Sequence, residues 1–273
     1  MKRTFIIAGV CWAVVVMPRI AHAQDETEKG IEKYRQMLKG DPWSNPGFLD
    51  VDRGESLWKT PAGPNTVSLE KCDLGKGPGV VDGAFAELPR YFADANRVMD
   101  LETRLLWCME KLQGFKHADL VKNPYPGGGQ PTKDFGAITV YVASKSAGMK
   151  FAAKLDKPQE KATVDMGHAI FFRRQGPHDF SCATCHNDSG KRIRLQELPY
   201  LASPAEARQA VGQWPAYRGS TTQVMTMQHR LYDCYWQMRM PQPEMGTDLS
   251  VALISYLVKN AEGGDITVPG LKR

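Results

Sequence analysis

Cys182-Ala183-Thr184-Cys185-His186 is the stretch that decides how this chain is read. C-x-x-C-H is the attachment signature of a c-type haem. Its two thiols add across the vinyl groups of the porphyrin, and the adjacent His lies under the iron. The expectation is one covalently bound haem c, attached through Cys182 and Cys185, with His186 as its proximal ligand.

The N-terminus fits an exported chain. Lys2 and Arg3 precede an almost wholly apolar run from Phe5 to Met17, and Ala21-His22-Ala23 supplies a small-x-small cleavage site. Residues 1–23 read as a secretory signal, the alternative being an uncleaved anchor, and the expected compartment is the periplasm. Only in an exported chain do the thiols meet the haem attachment machinery. The apolar run is short for a membrane span, and no other segment approaches one, so no span is expected in the mature chain. Removing Lys2, Arg3 and Arg19 lowers the formal charge from +5 to +2, a balance unlike that of a nucleic-acid-binding protein.

The chain reads as two similar halves. In the second, Gly167-His168-Ala169-Ile170-Phe171-Phe172 opens a helix, Cys182 follows Gly167 by fifteen residues, and Leu249 to Leu257 forms a closing helix capped by Thr247 or Asp248. That is the order of a small cytochrome c domain. In the first, Gly54-Glu55-Ser56-Leu57-Trp58 matches the opening helix and Cys72 follows Gly54 by eighteen residues. Ala137 to Val142 matches the closing helix, against its β-branched content. Cys72 is followed by Asp73-Leu74-Gly75-Lys76, without second Cys or His, so no covalent haem forms there. The expected fold is mostly α, with two cytochrome c-like domains in tandem, the N-terminal one (24–155) lacking haem and the C-terminal one (156–273) binding it. The link falls near Asp156-Lys157-Pro158. Residues 28–39 read as a further amphipathic helix, and the Pro- and Gly-rich stretch from Lys122 to Lys133 as an exposed loop.

Cys11 leaves with the signal and Cys182 and Cys185 go to the haem, so Cys72, Cys108 and Cys234 remain, an odd number. In an oxidising compartment two should pair and one should be left for other work. Cys108 lies in a helical pattern with Val98, Leu101, Leu105, Met109 and Leu112, and is the natural partner of Cys72. The bridge would close a loop of about 37 residues, worth roughly 3–4 kcal/mol by the chain-entropy argument. The competing reading is two free buried thiols.

The sixth iron ligand is open on spacing alone. Met240 and Met245 suit an electron-transfer cytochrome, whereas a Cys234 thiolate would lower the potential. The odd cysteine favours the latter. If residues 228–239 are helical, Arg230 and Cys234 stand at i and i+4 on one face. A guanidinium beside a thiol lowers its pKa and can also bind an oxyanion through its fork. The plain reading of Arg230 is a surface charge or a haem-propionate partner. His229, next to Arg230, is a candidate for proton or anion handling.

The run Phe171-Phe172-Arg173-Arg174-Gln175-Gly176-Pro177 leading into Phe180-Ser181-Cys182 resembles the SoxA family, the catalytic cytochromes of thiosulfate-oxidising SoxAX complexes. Gly190 to Leu195, Trp214 to Arg218, Gln228 to Cys234, Cys72 to Gly75, Gly77-Pro78-Gly79 and Leu88 to Phe92 fit as well. The resemblance implies an L-cysteine S-thiosulfotransferase that joins thiosulfate to a cysteine of the carrier SoxYZ. Electrons would leave through haem c to a small SoxX-type cytochrome in a heterodimer. It implies that Cys234 is the distal ligand and active cysteine, in this family often seen as a persulfide, and that Arg230 binds substrate. Some relatives carry two haems; the missing motif at Cys72 resembles the one-haem branch, with Cys72–Cys108 as a disulfide. The alternatives are a plain electron-transfer cytochrome ligated by Met240 or Met245 and, more weakly, a peroxidase-type cytochrome.

Overall fold

The computed structural model describes residues 44–272 apart from 126–127 and 194–195, together with positions 29, 30, 33 and 36. The expected leader lies outside the described residues. Of the expected helix at 28–39 only Lys29, Gly30, Lys33 and Gln36 are described, all four helical and exposed.

The chain runs through α1 (Gly47–Lys59), the strands β1 (Arg90–Phe92) and β2 (Arg97–Met99), and α2 (Leu101–Cys108), which continues into a π turn at Met109–Gln113. Next come the single turn α3 (His117–Leu120), β3 (Val121–Tyr125), β4 (Gly128–Pro131) and α4 (Lys133–Ser144). The rest comprises α5 (Pro158–Phe172), α6 (Cys182–His186), β5 (Arg192–Ile193), β6 (Gln196–Glu197) and α7 (Pro204–Val211). After these come β7 (Ala216–Arg218), β8 (Gln223–Met225), α8 (Met227–Gln237), α9 (Asp248–Asn260) and β9 (Gly270–Lys272). β7 is the middle strand of a small sheet, antiparallel to β8 and parallel to β9.

Two helix crossings, α1 on α4 and α5 on α9, are the most extensive in the molecule. Each has a glycine at its centre. A Cβ on Gly54 would lie 2.0 Å from the Ala137 carbonyl oxygen and 2.7 Å from Tyr141 Cβ. A Cβ on Gly167 would lie 1.9 Å from the Ala252 carbonyl oxygen and 2.8 Å from Tyr256 Cβ. No side chain fits either place, so both pairs meet backbone to backbone. The β-branched residues of α4 do not prevent the helix. Thr132 caps it by accepting the Phe135 N–H, and Ile138, Val140 and Val142 are buried, so tertiary burial overrides propensity.

A hairpin followed by a helix also occurs twice. β1–β2 leads through Asp100, whose carboxylate accepts the Thr103 N–H at 2.8 Å and caps α2. β7–β8 leads through Thr226, whose hydroxyl accepts the His229 N–H at 3.2 Å and caps α8. An arginine follows each cap by four residues (Arg104, Arg230) and a cysteine by eight (Cys108, Cys234). Val98, expected on the helical stripe, lies in β2, because the cap at Asp100 sets the start of the helix. The stretch expected as an exposed loop at 122–133 instead carries the paired strands β3 and β4. Pro124 is tolerated because it falls where the register shifts between Lys122 and Tyr125.

Cys72 and Cys108 form a disulfide, fully buried, with Cα atoms 5.7 Å apart and a sequence separation of 36. Asn45–Arg273 is one compact unit, tied across its middle by buried polar contacts. Lys157 caps α5, whose Glu160 carboxylate accepts the Lys157 N–H at 3.0 Å and the Tyr91 N–H at 2.7 Å. At the start of α8, Gln228 donates its backbone N–H to Glu102 (2.9 Å) and its side-chain amide to Asp100 (2.7 Å). Both acids are buried, and burial together with the neighbouring Asp100 charge pushes Glu102 up to about 8.

Candidate functional site

The haem motif sits on α6, a helix of five residues that needs its caps to exist at all. Ser181 and Thr184 supply a reciprocal box. The Ser181 hydroxyl accepts the Thr184 N–H at 3.2 Å, and the Thr184 hydroxyl accepts the Ser181 N–H at 3.0 Å. At the other end, Lys191 Nζ donates to the Thr184 carbonyl at 2.9 Å. Cys182, Cys185 and His186 are half-buried, and neither thiol is in a disulfide. His186 Nδ1 donates to the Pro199 carbonyl at 2.8 Å. That bond fixes the neutral tautomer and leaves Nε2 as the ligating nitrogen. Burial holds the imidazole below its usual pKa, against the Pro199 bond and with help from the Arg230 charge, so it is neutral as ligation requires.

α8 brings the second group of side chains. Arg230 and Cys234 are one turn apart on it, as the spacing predicted. Cys234 is near enough to Cys182 and Cys185, and Arg230 to His186, for their charges to interact, so α8 brings both side chains close to the motif helix. Burial raises the Cys234 thiol; Arg230 and Arg218 pull it down, but burial wins. The expected guanidinium effect therefore has the right sign and is outweighed. Cys182 is pushed up to about 12, first by burial and then by Cys234 beside it. Met240 and Met245, the competing ligands, are buried within the apolar core.

The arginine is not alone. One oxygen of Asp233 accepts from Arg230 Nη1 at 2.6 Å, Arg218 Nη1 at 2.7 Å and Gln237 Nε2 at 2.8 Å. Sequence reading missed these partners. Asp233 and Gln237 were detectable as i+3 and i+7 of Arg230, but Arg218 comes from β7 and only the fold brings it in. His229 is buried, with no hydrogen-bond partner at Nδ1 among the described residues, and burial lowers it to about 4. It lines, with Gln223, Tyr232, Asp233 and Trp236, a polar cavity of about 260 Å³.

These residues fit a haem c. Two unpaired thiols and a histidine of fixed tautomer lie on one helix, and a thiol lies on the helix opposite. Among the described residues no group of three or more His, Cys, Asp or Glu side chains is arranged to hold a bare metal ion. A haem bound at this motif would find candidate iron ligands in His186 and Cys234. Among the described residues no helix is long and apolar enough to cross a membrane.

The fold and the motif define a class: a protein of cytochrome c fold whose haem-attachment helix faces an arginine and a free cysteine. Comparison narrows it. A family model described as SoxA/TsdA, cytochrome c domain, matches residues 53–151, the half without the C-x-x-C-H motif. The chain is 44% identical to the L-cysteine S-thiosulfotransferase subunit SoxA of Hydrogenophilus thermoluteolus, over 100% of both chains. It is 34% identical to a protein of the same description from Hydrogenobacter thermophilus, again over 100% of both. The crystal structure of SoxXA from P. pantotrophus has the same fold. Its TM-score is 0.71 at 24% identity, covering 88% of this chain and 84% of that one. The chain belongs to the SoxA family.

Proposed function

We propose that the chain is an L-cysteine S-thiosulfotransferase subunit, which joins thiosulfate oxidatively to a cysteine of a SoxYZ-type carrier protein. The observation that carries this reading is the pairing of Arg230 and Cys234 on one face of α8, opposite the C-x-x-C-H helix. Full-length identity to proteins named for that activity supports it. In the reaction the terminal sulfur of thiosulfate and the carrier thiol become joined by an S–S bond, the thiol proton is released, and two electrons leave. Arg230 neutralises part of the dianion and orients it by charge-assisted hydrogen bonds. Cys234 stands at the reacting centre as the active cysteine; if carried as a persulfide, its outer sulfur would be more acidic than a thiol and so anionic despite the burial. A single haem c bound here would be held by Cys182 and Cys185, with His186 and Cys234 as the candidate iron ligands, and would pass the two electrons one at a time toward a SoxX-type partner cytochrome.

In this reading residues 24–155 and 156–273 are two cytochrome c-like domains of one duplicated frame, and the first holds no haem. The matched Gly–Ala–Tyr crossings and hairpin–helix units support that duplication. The leader directs the chain to the periplasm. The test is Cys234→Ala in the haem-loaded complex, with thiosulfate-dependent carrier conjugation and the haem spectrum read together. Loss of conjugation with an altered spectrum is expected. Full activity with an unchanged spectrum would leave a plain electron-transfer cytochrome.

A further inference from the structure

Asp233 is the hub of the charged cluster beside Cys234. It receives Arg230, Arg218 and Gln237 on a single carboxylate oxygen, at 2.6, 2.7 and 2.8 Å. All three charged side chains are between 20% and 28% exposed, so their geometry is set by protein contacts more than by water. We propose that Asp233 is the positioning residue of this site, holding the Arg230 guanidinium in one rotamer beside Cys234, and that Arg218 supplies the second positive charge that keeps the site cationic. This rests on the transferase reading above.

Two arguments carry it. The first is geometric. Arg230 and Asp233 are three residues apart on α8, and Gln237 is one turn beyond Asp233, so the helix itself sets their spacing. A guanidinium has five N–H donors on a long flexible stem. One bond to Asp233 fixes the plane of the group while spending one donor, and the others remain the supply from which an oxyanion draws. The second is a charge count. An Arg230–Asp233 pair by itself has no net charge and would exert little pull on a dianion. Adding Arg218 to the same carboxylate gives the trio a net charge of +1. Gln237 adds a third donor to the same oxygen without changing that balance. Arg218 reaches the cluster from β7, whose register is locked on both edges, to β8 through Arg218↔Gln223 and to β9 through Arg218↔Lys272. The second charge is therefore mounted on a different element from the first, and the two hold the carboxylate between them.

The test uses the haem-loaded complex with its carrier protein, measuring equilibrium thiosulfate binding without carrier and conjugation kinetics with it. Asp233→Asn removes a negative charge but keeps an acceptor. If Asp233 merely contributed charge, this variant would bind thiosulfate more tightly and turn over normally. A positioning role predicts unchanged or tighter binding with kcat lower by about 10- to 100-fold, the cost of a misplaced reacting group, and partial recovery in Asp233→Glu. Arg218→Gln is expected to raise KM for thiosulfate about tenfold, with kcat within about twofold of the parent. Normal kcat in Asp233→Asn overturns the positioning role. Should that variant fail to take up haem, Arg218→Gln decides alone, and an unchanged KM overturns the proposal. Arg230→Ala is the control. If it conjugates thiosulfate normally, the transferase reading itself fails; if it is inactive while Asp233→Asn is normal, only the inference about Asp233 fails.

Discussion

Arg104 and Arg230 stand at the same place in two hairpin-and-helix units and are used in opposite ways. Arg104 is spent on structure. Its two terminal nitrogens reach Asp94 at 3.0 and 2.7 Å, and its Nε reaches the Asp73 carbonyl at 2.7 Å. Its guanidinium lies over Phe92 and Trp107, 4.1 and 4.3 Å from the ring centroids. It is 2% exposed. Arg230 is held through one nitrogen on Asp233 and is partly exposed. The cysteines divide the same way. Cys108 is closed in a disulfide with Cys72, whereas Cys234 has no disulfide partner. One backbone frame thus closes its arginine and its cysteine into structural contacts in one unit, and in the other holds the arginine through a single nitrogen and leaves the cysteine outside any disulfide, as the proposed chemistry requires.

The largest effects should come from the shared part of the frame. Gly54→Ala and Gly167→Ala each put a methyl within 2 Å of a carbonyl oxygen, and each is expected to cost about 3 kcal/mol or more. Denaturant melts of the haem-loaded protein check this. If the halves differ as proposed, the Gly167 variant also takes up haem poorly during expression, while the Gly54 variant is destabilised with normal haem content per folded chain.

Removing the disulfide should come next. Replacing Cys72 and Cys108 together by Ala is expected to cost roughly 2–5 kcal/mol, with a melting temperature lower by about 6–15 °C. The haem spectrum should not move, because neither cysteine is a ligand in this account. A changed spectrum would break the division of labour.

The two arginines should separate cleanly. Arg230→Ala should lower kcat/KM for thiosulfate by about 10- to 100-fold, the value of a charge-assisted hydrogen bond or two, with little change in melting. Arg104→Ala should do the reverse, leaving kcat/KM alone and destabilising by about 2–4 kcal/mol as the buried guanidinium's packing on Phe92 and Trp107 and its bonds to Asp94 and Asp73 are lost. Matching effects in both variants would erase the comparison.

The smallest effect concerns the seam between the units. Glu102 is raised to about 8 when folded, against 4.5 for the free side chain. Between those values the unfolded chain releases a proton that the folded one keeps, so stability falls as pH rises through the interval. Glu102→Gln removes that dependence. It should melt above the parent at pH 8, and the difference should vanish near pH 4. An equal difference at both pH values would mean that Glu102 is not protonated in the fold.

Local spacing made part of this legible. C-x-x-C-H, the one-turn separation of Arg230 and Cys234, the crossing glycines and the odd cysteine count are all short-range or arithmetic signals. What stayed hidden depends on contacts between distant segments. Strands of three residues such as β1 and β7 are too short to show a period of two. Val98 therefore read as part of the helix that follows it. The Pro199 carbonyl that orients His186 lies in a loop with no pattern. Arg218 was visible only as part of a motif, since its partner Asp233 is fifteen residues on and meets it through the β7–β8 hairpin.

In the proposed duplication the same frame holds a disulfide in one half and a haem in the other. Peptide mapping of the purified chain under non-reducing conditions tests it most directly. The prediction is one covalent haem on the peptide bearing Cys182 and Cys185, a cross-link between the Cys72 and Cys108 peptides, and Cys234 recovered outside any disulfide. A second haem, or Cys72 and Cys108 recovered as free thiols beside a normally attached haem, would contradict it.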